Sequence, residues 1–151
     1  ANDKDYYLTA KAVSALYKDP AEIISGKSYA DKQSAIKQLL KNRAPCEANK
    51  TVAFHPPCTL QHGRRINNLI EPILVNCGYE LKPFKDKHLC CGSAGTYSIT
   101  QRDLSQQLLS NKLNNINKTS PDIIATANIG CQLHLQSGTD TPVKHWLELL
   151  I

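Results

Sequence analysis

The sequence predicts an α/β protein, in which a small parallel sheet of about three to four strands is flanked by helices and preceded by an N-terminal helical arm. Two observations predict this class. Residues 1–49 carry apolar side chains at helical spacing, whereas residues 50–151 alternate short β-rich runs with amphipathic segments. Strands that alternate with helices pair in parallel, because each helix returns the chain to the same end of the sheet. We therefore expect an arm or linker over 1–49 and one domain over 50–151.

The arm is predicted to contain three helical segments. Residues 5–17 repeat apolar side chains at roughly helical spacing. Asp19 and Pro20 then restart a short helix, with an acidic N-cap and proline at the first helical position. Residues 26–44 predict a further helix, which the following proline ends.

Three β-rich runs in the second region predict strands. They are TVAF at 51–54, YELKPF at 79–84 and DIIATAN at 122–128. The third run is apolar along most of its length, which is typical of a parallel strand that is covered on both faces.

Two amphipathic segments between these strands predict helices. Residues 64–78 place apolar side chains on one helical face before Gly78 stops the helix, and residues 100–117 begin with Thr100 as a cap. The ending PVKHWLELLI predicts a final helix. The expected core of strands and helices includes Val52, Ile70, Leu74, Leu109, Ile123 and Ile124.

Charge and composition exclude several classes of protein. The net charge of +5 is spread along the chain without a basic run or interleaved aromatic residues, so binding to nucleic acid is not expected. No apolar run is long enough to span a bilayer, and no signal peptide is recognisable. The chain begins with Ala1 and contains no methionine, which predicts a part of a longer or processed polypeptide.

The positions of the cysteines predict a functional site at one edge of the sheet. Cys58 follows the first strand, Cys90 and Cys91 follow the second, and Cys131 follows the third. Because the carboxyl ends of parallel strands meet at the same edge, these four thiols should line one crevice. Cys77 lies near the end of a helix, where a buried structural role is expected.

The neighbouring thiols of Cys90 and Cys91 favour a target larger than one small ion. In extended chain, successive side chains point to opposite faces, which hinders tetrahedral binding of a single ion by both. A cluster of several irons offers separated corners, and Gly92 can adopt a positive φ that lets both sulfurs reach it. A disulfide between adjacent residues is disfavoured because it requires a strained ring.

Three segments contain the four cysteines and the residues around them: HPPCTLQH at 55–62, CCGSAGTY at 90–97 and NIGCQLHLQSGTDTPVKHWLELL at 128–150. Together they resemble the cysteine-rich CCG domain, which occurs in heterodisulfide reductase subunits and in flavoenzyme-linked iron–sulfur proteins. Within that family the resemblance is strongest to the C-terminal part of the iron–sulfur subunits of bacterial glycolate oxidases. It covers residues 50–151 strongly and the arm weakly.

The resemblance implies an electron-transfer role in a flavin-dependent 2-hydroxy-acid oxidase rather than oxidation of the substrate itself. It implies an iron–sulfur cluster of the 4Fe-4S type in the full-length protein, absent or incomplete in this chain alone. Its ligands would be Cys58, Cys90, Cys91 and Cys131, with His134 as a further candidate.

The same resemblance implies the partners of the chain and its location in the cell. A preceding CCG unit and a ferredoxin-like domain would belong to the same subunit and could share the cluster, flavin-containing subunits would donate electrons, and a membrane quinone would accept them. Such a subunit is expected to be cytoplasmic, with peripheral attachment to the inner face of the cell membrane.

The histidines leave alternatives open. The family motif ends in CxxC, but here Cys131 is followed at the last position by His134, which is either a metal ligand or a polar residue that faces solvent. His55 and His62 flank Cys58, and His88 precedes the paired cysteines. We expect these three to stabilise thiolates around the cluster, together with Gly92, rather than to bind metal directly.

Two other functions remain as alternatives at this point. A structural zinc module would use Cys58, Cys90 or Cys91, Cys131 and His134. A thiol–disulfide redox domain would use Cys90 or Cys91 as a nucleophile of low pKa with a resolving partner.

Overall fold

The computed structural model describes residues 3–25 and 49–150. The chain divides into two compact units, residues 1–42 and 43–151. The helix predicted for residues 26–44 lies outside the described residues, as does Cys46.

The first unit contains two described helices, α1 (Lys4–Leu16) and α2 (Pro20–Ser25). The start of α2 is a reciprocal cap. Asp19 Oδ1 accepts a hydrogen bond from the Ala21 N–H at 2.8 Å, and Glu22 Oε2 accepts one from the Asp19 N–H at 2.9 Å. The break and restart predicted at Asp19 and Pro20 are therefore confirmed.

The second unit is built on a four-stranded sheet in which every neighbouring pair is parallel. Its strands are β1 (Thr51–His55), β2 (Glu80–Leu81), β3 (Ile123–Thr126) and β4 (Val143–His145), in the spatial order β2-β1-β3-β4. All residues of β3 are buried, as a central parallel strand requires. The predicted α/β class with a small parallel sheet is confirmed.

Helices connect the strands and cover the sheet. They are a π-helical turn (Thr59–Gly63), α3 (Ile70–Asn76), α4 (Tyr97–Thr100), α5 (Arg102–Asn117), α6 (Ile129–Gln136) and a final 3-10 helix (Trp146–Leu150). The six predicted core residues are all buried. The core is therefore built from apolar side chains that both strands and helices contribute.

The helix predicted over residues 64–78 is shorter than its apolar pattern indicated. Arg65 and Asn68 have positive φ values of 53° and 58°, so the backbone leaves the right-handed helical region twice before α3 begins at Ile70. Gly78, with a φ of 93°, ends this segment as predicted. Similarly, Gln101 separates α4 from α5, so Thr100 ends a short helix instead of capping the long one.

The final helix predicted from PVKHWLELLI was wrong in its first half. Val143, Lys144 and His145 pair in register with β3 as the fourth strand, and only the residues after them form a 3-10 helix. Gln136 Oε1 accepts a hydrogen bond from the Val143 N–H at 2.8 Å, which satisfies one backbone donor of β4. The open edge of β3 offered backbone hydrogen bonds that outweighed the helical pattern.

Side chains of β1 alternate between the two faces of the sheet, and this alternation positions the site. Ala53 belongs to a buried cluster with Leu109 and Leu113 of α5 and Leu135 of α6. His55, two residues after Ala53, points to the same face. The carboxyl end of β1 therefore presents His55 toward α5 and α6.

Candidate metal centre

The four cysteines predicted to converge do so at the carboxyl edge of the sheet. Cys58 follows β1, Cys90 and Cys91 lie in the loop after β2, and Cys131 lies in the first turn of α6 after β3. A cleft of about 620 Å³ opens there, and Cys58, Cys90 and Cys131 line it. Cys77 ends α3 and does not line this cleft.

The thiols form an inner pair and an outer pair. Cys91 and Cys131 are buried, whereas Cys58 and Cys90 are half-buried in the wall of the cleft. Because neighbouring side chains diverge, Cys90 interacts with Cys58 while Cys91 meets Cys131. The Gly92 N–H donates a hydrogen bond to Cys90 Sγ at 3.2 Å. Cys58, Cys90, Cys91 and Cys131 form no disulfide bond, so the site is not closed by one.

One proton is shared within the inner pair. The Cys131 thiol donates a hydrogen bond to Cys91, which, with help from His55 and the Ser93 backbone, lowers the pKa of Cys91 to about 4 against the opposing effect of burial. The same hydrogen bond, together with burial, raises the pKa of Cys131 far above its ordinary value. In the metal-free chain the inner pair is therefore a thiolate beside a thiol. Burial and, next, the neighbouring Cys90 raise the pKa of Cys58.

His55 completes the inner pair into a group of three donors. One nitrogen of His55 and the sulfurs of Cys91 and Cys131 all lie within 4.8 Å of one another. The His55 side chain is fully buried and interacts with the Cys91 sulfur, and within residues 3–25 and 49–150 neither ring nitrogen has a partner in regular hydrogen-bond geometry. Buried polar atoms are rarely left without a partner, and thiolate and imidazole are the ligands that iron, zinc and related metals prefer. The residues present therefore fit a metal centre.

Gly92 holds the loop of the paired cysteines against α5. Its φ is 99°, and a Cβ at this position would collide with the Ser105 carbonyl oxygen and lie 3.0 Å from His134 Nε2. The Ser105 hydroxyl donates a hydrogen bond to the Gly92 carbonyl at 2.8 Å. The glycine after the paired cysteines is thus required by both conformation and space.

The remaining predicted histidines occupy different positions. His134 lines the cleft, and its Nε2 lies 3.2 Å from Ser105 Oγ, so it already has a polar partner. His62 and His88 are exposed, and neither lines the cysteine cleft. Of the three histidines expected to support thiolates, the structure brings only His55 to the buried sulfurs.

Two residues of the site were missed by the sequence analysis. Lys112 of α5 is buried, and its Nζ donates hydrogen bonds to the carbonyls of Asp86 at 2.6 Å and Lys87 at 3.2 Å. Burial lowers the pKa of Lys112, while the nearby Cys91 opposes this effect. Asn128 Oδ1 accepts a hydrogen bond from the Cys131 N–H at 3.2 Å and caps α6.

Both missed residues had a sequence signal. Lys112 lies three residues after Leu109 and four before Ile116, on the apolar face of the predicted helix. Asn128 precedes the helical run after β3, which is typical of an N-cap.

Comparison with known proteins places these residues in a family pattern. A family model described as "Cysteine-rich domain" (CCG) matches residues 52–136. The range includes the four converging cysteines, His55 and His134. In the described parts of the chain, no helix combines the length and apolar character needed to cross a membrane.

Curated relatives extend the similarity over the arm. The glycolate oxidase iron-sulfur subunit of Escherichia coli (strain K12) is 41% identical over 94% of this chain and 38% of its own length. Lactate utilization protein A of Shouchella clausii is 27% identical over 86% of this chain and 57% of its own length. The probable glycolate oxidase iron-sulfur subunit of Bacillus subtilis is 36% identical over 62% of this chain and 21% of its own length. The chain thus spans less than two thirds of each of these relatives.

Proposed function

The chain belongs to the cysteine-rich CCG domain family, and from this premise we propose that it is the ligand-bearing domain of an iron–sulfur electron-transfer subunit. The parent complex would be a flavin-dependent oxidase of glycolate or another 2-hydroxy acid. Two relatives are named as iron–sulfur subunits of glycolate oxidase, and others as lactate utilization proteins. This subunit would transfer electrons, and a flavin-containing partner would oxidise the substrate.

The convergence of four thiols at one sheet edge is the observation that carries this proposal. Cys58, Cys90, Cys91 and Cys131 would hold the cluster. A 4Fe-4S type suits them, because the inner and outer pairs present sulfurs at separate places around one cleft. When bound, such a cluster supplies one-electron redox chemistry.

The chain's own residues prepare this site for a metal. The thiolate of Cys91 is available for ligation at neutral pH without prior loss of a proton. Gly92 and Ser105 keep the paired cysteines against α5, while Asn128 fixes the turn that carries Cys131. Lys112 supplies a buried positive charge close to the sulfurs, which favours anionic thiolates.

The proposed surroundings follow from the family and its relatives. A preceding CCG unit and a ferredoxin-like domain of the same subunit, a flavin-containing subunit and a membrane quinone are the proposed partners. We place the complex in the cytoplasm, peripheral on the inner face of the membrane. The net charge of +5 would favour contact with anionic headgroups or an acidic partner.

A zinc module is the second candidate, because the compact trio of His55, Cys91 and Cys131 also suits a mononuclear ion. A thiol–disulfide redox domain is less well supported. Cys91 has the low pKa of a nucleophile, but only 1% of its surface is exposed, so a disulfide substrate cannot reach its sulfur.

Reconstitution of the full-length subunit with iron and sulfide under anaerobic conditions tests the proposal, since the cluster is expected to be absent or incomplete in this chain alone. We expect stoichiometric iron and acid-labile sulfide with a paramagnetic resonance signal after reduction or oxidation. Cys91→Ser and Cys131→Ser should lose the cluster and stay folded, whereas the control Cys77→Ser should keep it, because Cys77 lies outside the cleft. Binding of one zinc with no iron–sulfur signal would favour the zinc module instead.

A further inference from the structure

We propose that His55 is itself a metal ligand, which forms with Cys91 and Cys131 a buried site of one nitrogen and two sulfurs. The sequence alone assigned His55 a supporting role and made His134 the candidate nitrogen ligand. The inference rests on the proposed function for the identity of the native metal, but the site itself can be tested with other thiophilic ions.

The geometry of the three donor atoms supports direct ligation. Zinc binds sulfur at about 2.3 Å and nitrogen at about 2.0 Å, so ligands of one tetrahedral ion lie roughly 3.5–3.8 Å apart. The donor atoms of His55, Cys91 and Cys131 all lie within 4.8 Å of one another. Side-chain shifts of about an ångström would close the trio around an ion. The fourth position is left for a thiol of the outer pair or for a cluster sulfide.

The burial of His55 supports the same conclusion. The side chain has no exposed surface, and its ring interacts with the Cys91 sulfur, but no group in the described ranges meets regular hydrogen-bond geometry with either nitrogen. Thr126 is its partner in the β1–β3 register, is also fully buried, and has a hydroxyl without a partner. A ligating histidine usually gives its second ring nitrogen a nearby polar acceptor, a role that suits the Thr126 hydroxyl. A metal on one ring nitrogen of His55 and the Thr126 hydroxyl on the other would thus give these buried polar atoms partners.

His134 differs from His55 in each of these respects. It is partly exposed on the wall of the cleft, and its Nε2 lies at hydrogen-bond distance from Ser105 Oγ. Since the Ser105 hydroxyl donates its proton to the Gly92 carbonyl, His134 Nε2 acts as the donor to that oxygen. The Nε2 atom of His134 is thus engaged with Ser105, whereas His55 is buried beside two sulfurs, which makes His134 a matched control.

Cobalt(II) binding to the reduced, metal-free chain tests the proposal under anaerobic conditions. The probe reports sulfur ligation by charge-transfer absorption and nitrogen ligation by pulsed paramagnetic resonance with isotopically labelled histidine. We expect His55→Gln to lose the nitrogen coupling and to weaken binding by more than the roughly 10- to 100-fold caused by loss of a supporting hydrogen bond. His134→Gln should keep the coupling and bind cobalt within about tenfold of the unaltered chain.

A second measurement avoids the risk that His55→Gln fails to fold. The spin-active cadmium isotope, bound to the unaltered chain, should show scalar coupling to the ring of His55 in nuclear magnetic resonance spectra. Coupling to His134, or to no histidine, would overturn the inference.

The two proposals can fail separately. If cadmium couples to His55 while the full-length subunit forms no cluster at these cysteines from iron and sulfide, the nitrogen ligand stands and the iron–sulfur function is wrong. If a cluster forms and cadmium couples to no histidine, the function stands and the ligand assignment is wrong.

Discussion

At the residue scale, Gly92 shows how a single small residue shapes the site. Its positive φ of 99° turns the chain directly after the paired cysteines, and its missing side chain lets the loop approach the carbonyl of Ser105. Gly95, in the same loop, also has a positive φ, of 61°, but nothing lies within 4 Å of its absent Cβ. A side chain at Gly95 would therefore cost only backbone strain, whereas one at Gly92 would cost strain and a steric clash.

We expect Gly92→Ala to lower the free energy of unfolding by about 3 kcal/mol or more, because strain and overpacking add. Gly95→Ala should cost only about 1 kcal/mol, the penalty of a left-handed alanine. Urea unfolding of the metal-free chain measures both. Equal losses in the two variants would show that the contact with Ser105 is not tight.

The inner thiol pair predicts a pH dependence for the metal-free chain. The pKa of Cys91 is lowered to about 4 by its hydrogen bond from Cys131, against about 8.5 for an unfolded thiol. Between these values the unfolded chain binds a proton that the folded chain does not, so stability from Cys91 rises with pH and is lost as pH falls toward 4. The raised pKa of Cys131 has the opposite effect, present below about 8.5 and lost above it.

The difference in unfolding free energy between the unaltered chain and Cys91→Ser should therefore grow from pH 5 to pH 8, by at most about 1.4 kcal/mol per pH unit. Denaturant titrations at several pH values measure this difference. Contributions to the unfolding free energy from groups that titrate alike in both chains cancel when it is taken. A pH-independent difference would contradict the shared proton.

At the scale of elements, α5 organises the loop that carries Cys90 and Cys91. The ammonium of Lys112 donates to the carbonyls of Asp86 and Lys87 and lies 5.6 Å from the centre of the Phe84 ring. Lys87 in turn forms an ion pair with Glu71 of α3. The loop is thus held from two helices, which fixes the positions of both sulfurs.

We expect Lys112→Met to loosen this loop more than it destabilises the fold, because removing the lysine also removes the cost of burying its charge. The Leu89 N–H, which donates to the Asp86 carbonyl at 3.1 Å, should exchange with solvent about tenfold faster. Amide hydrogen exchange measures this rate, with Lys118→Met at the exposed end of α5 as the control. The same Leu89 rate in both variants would contradict the role of Lys112.

At the scale of the whole molecule, the second unit has a core whose large side chains lie mostly outside the site. Its buried residues include the large side chains Trp146, Ile70, Leu74, Ile116, Ile123 and Ile124. The cleft, by contrast, is open to solvent, and the outer thiols of Cys58 and Cys90 are half-buried. Oxygen and chelators should therefore remove the cluster while the fold of the second unit stays intact.

We expect the chain purified in air to be colourless and folded, because a cluster in this open cleft is exposed to oxygen and water. Its thiols would be free or would hold an adventitious metal such as zinc. Metal analysis and visible absorption test the first expectation, and far-ultraviolet circular dichroism after chelation tests the second. Stoichiometric iron with brown absorbance in the aerobic sample would show that this chain protects a cluster without a second CCG unit.

The relation between sequence and structure differs from one element to the next. β3 and the core residues were predictable, because an apolar run and helical spacing depend only on nearby residues. β4 was not, because the segment from Val143 becomes a strand only when β3 offers a free edge. The early start predicted for α3 failed because two residues before it adopt positive φ values.

By itself the sequence determined that four cysteines follow parallel strands, and therefore that their thiols meet at one edge. This conclusion needs only the strand–helix alternation and the common direction of the strands. Only the tertiary structure decided which thiols interact, that His55 lies beside the inner sulfurs, and that Lys112 holds the loop. The physical reason is that partners of buried polar groups come from distant segments, and local patterns do not specify their register or burial.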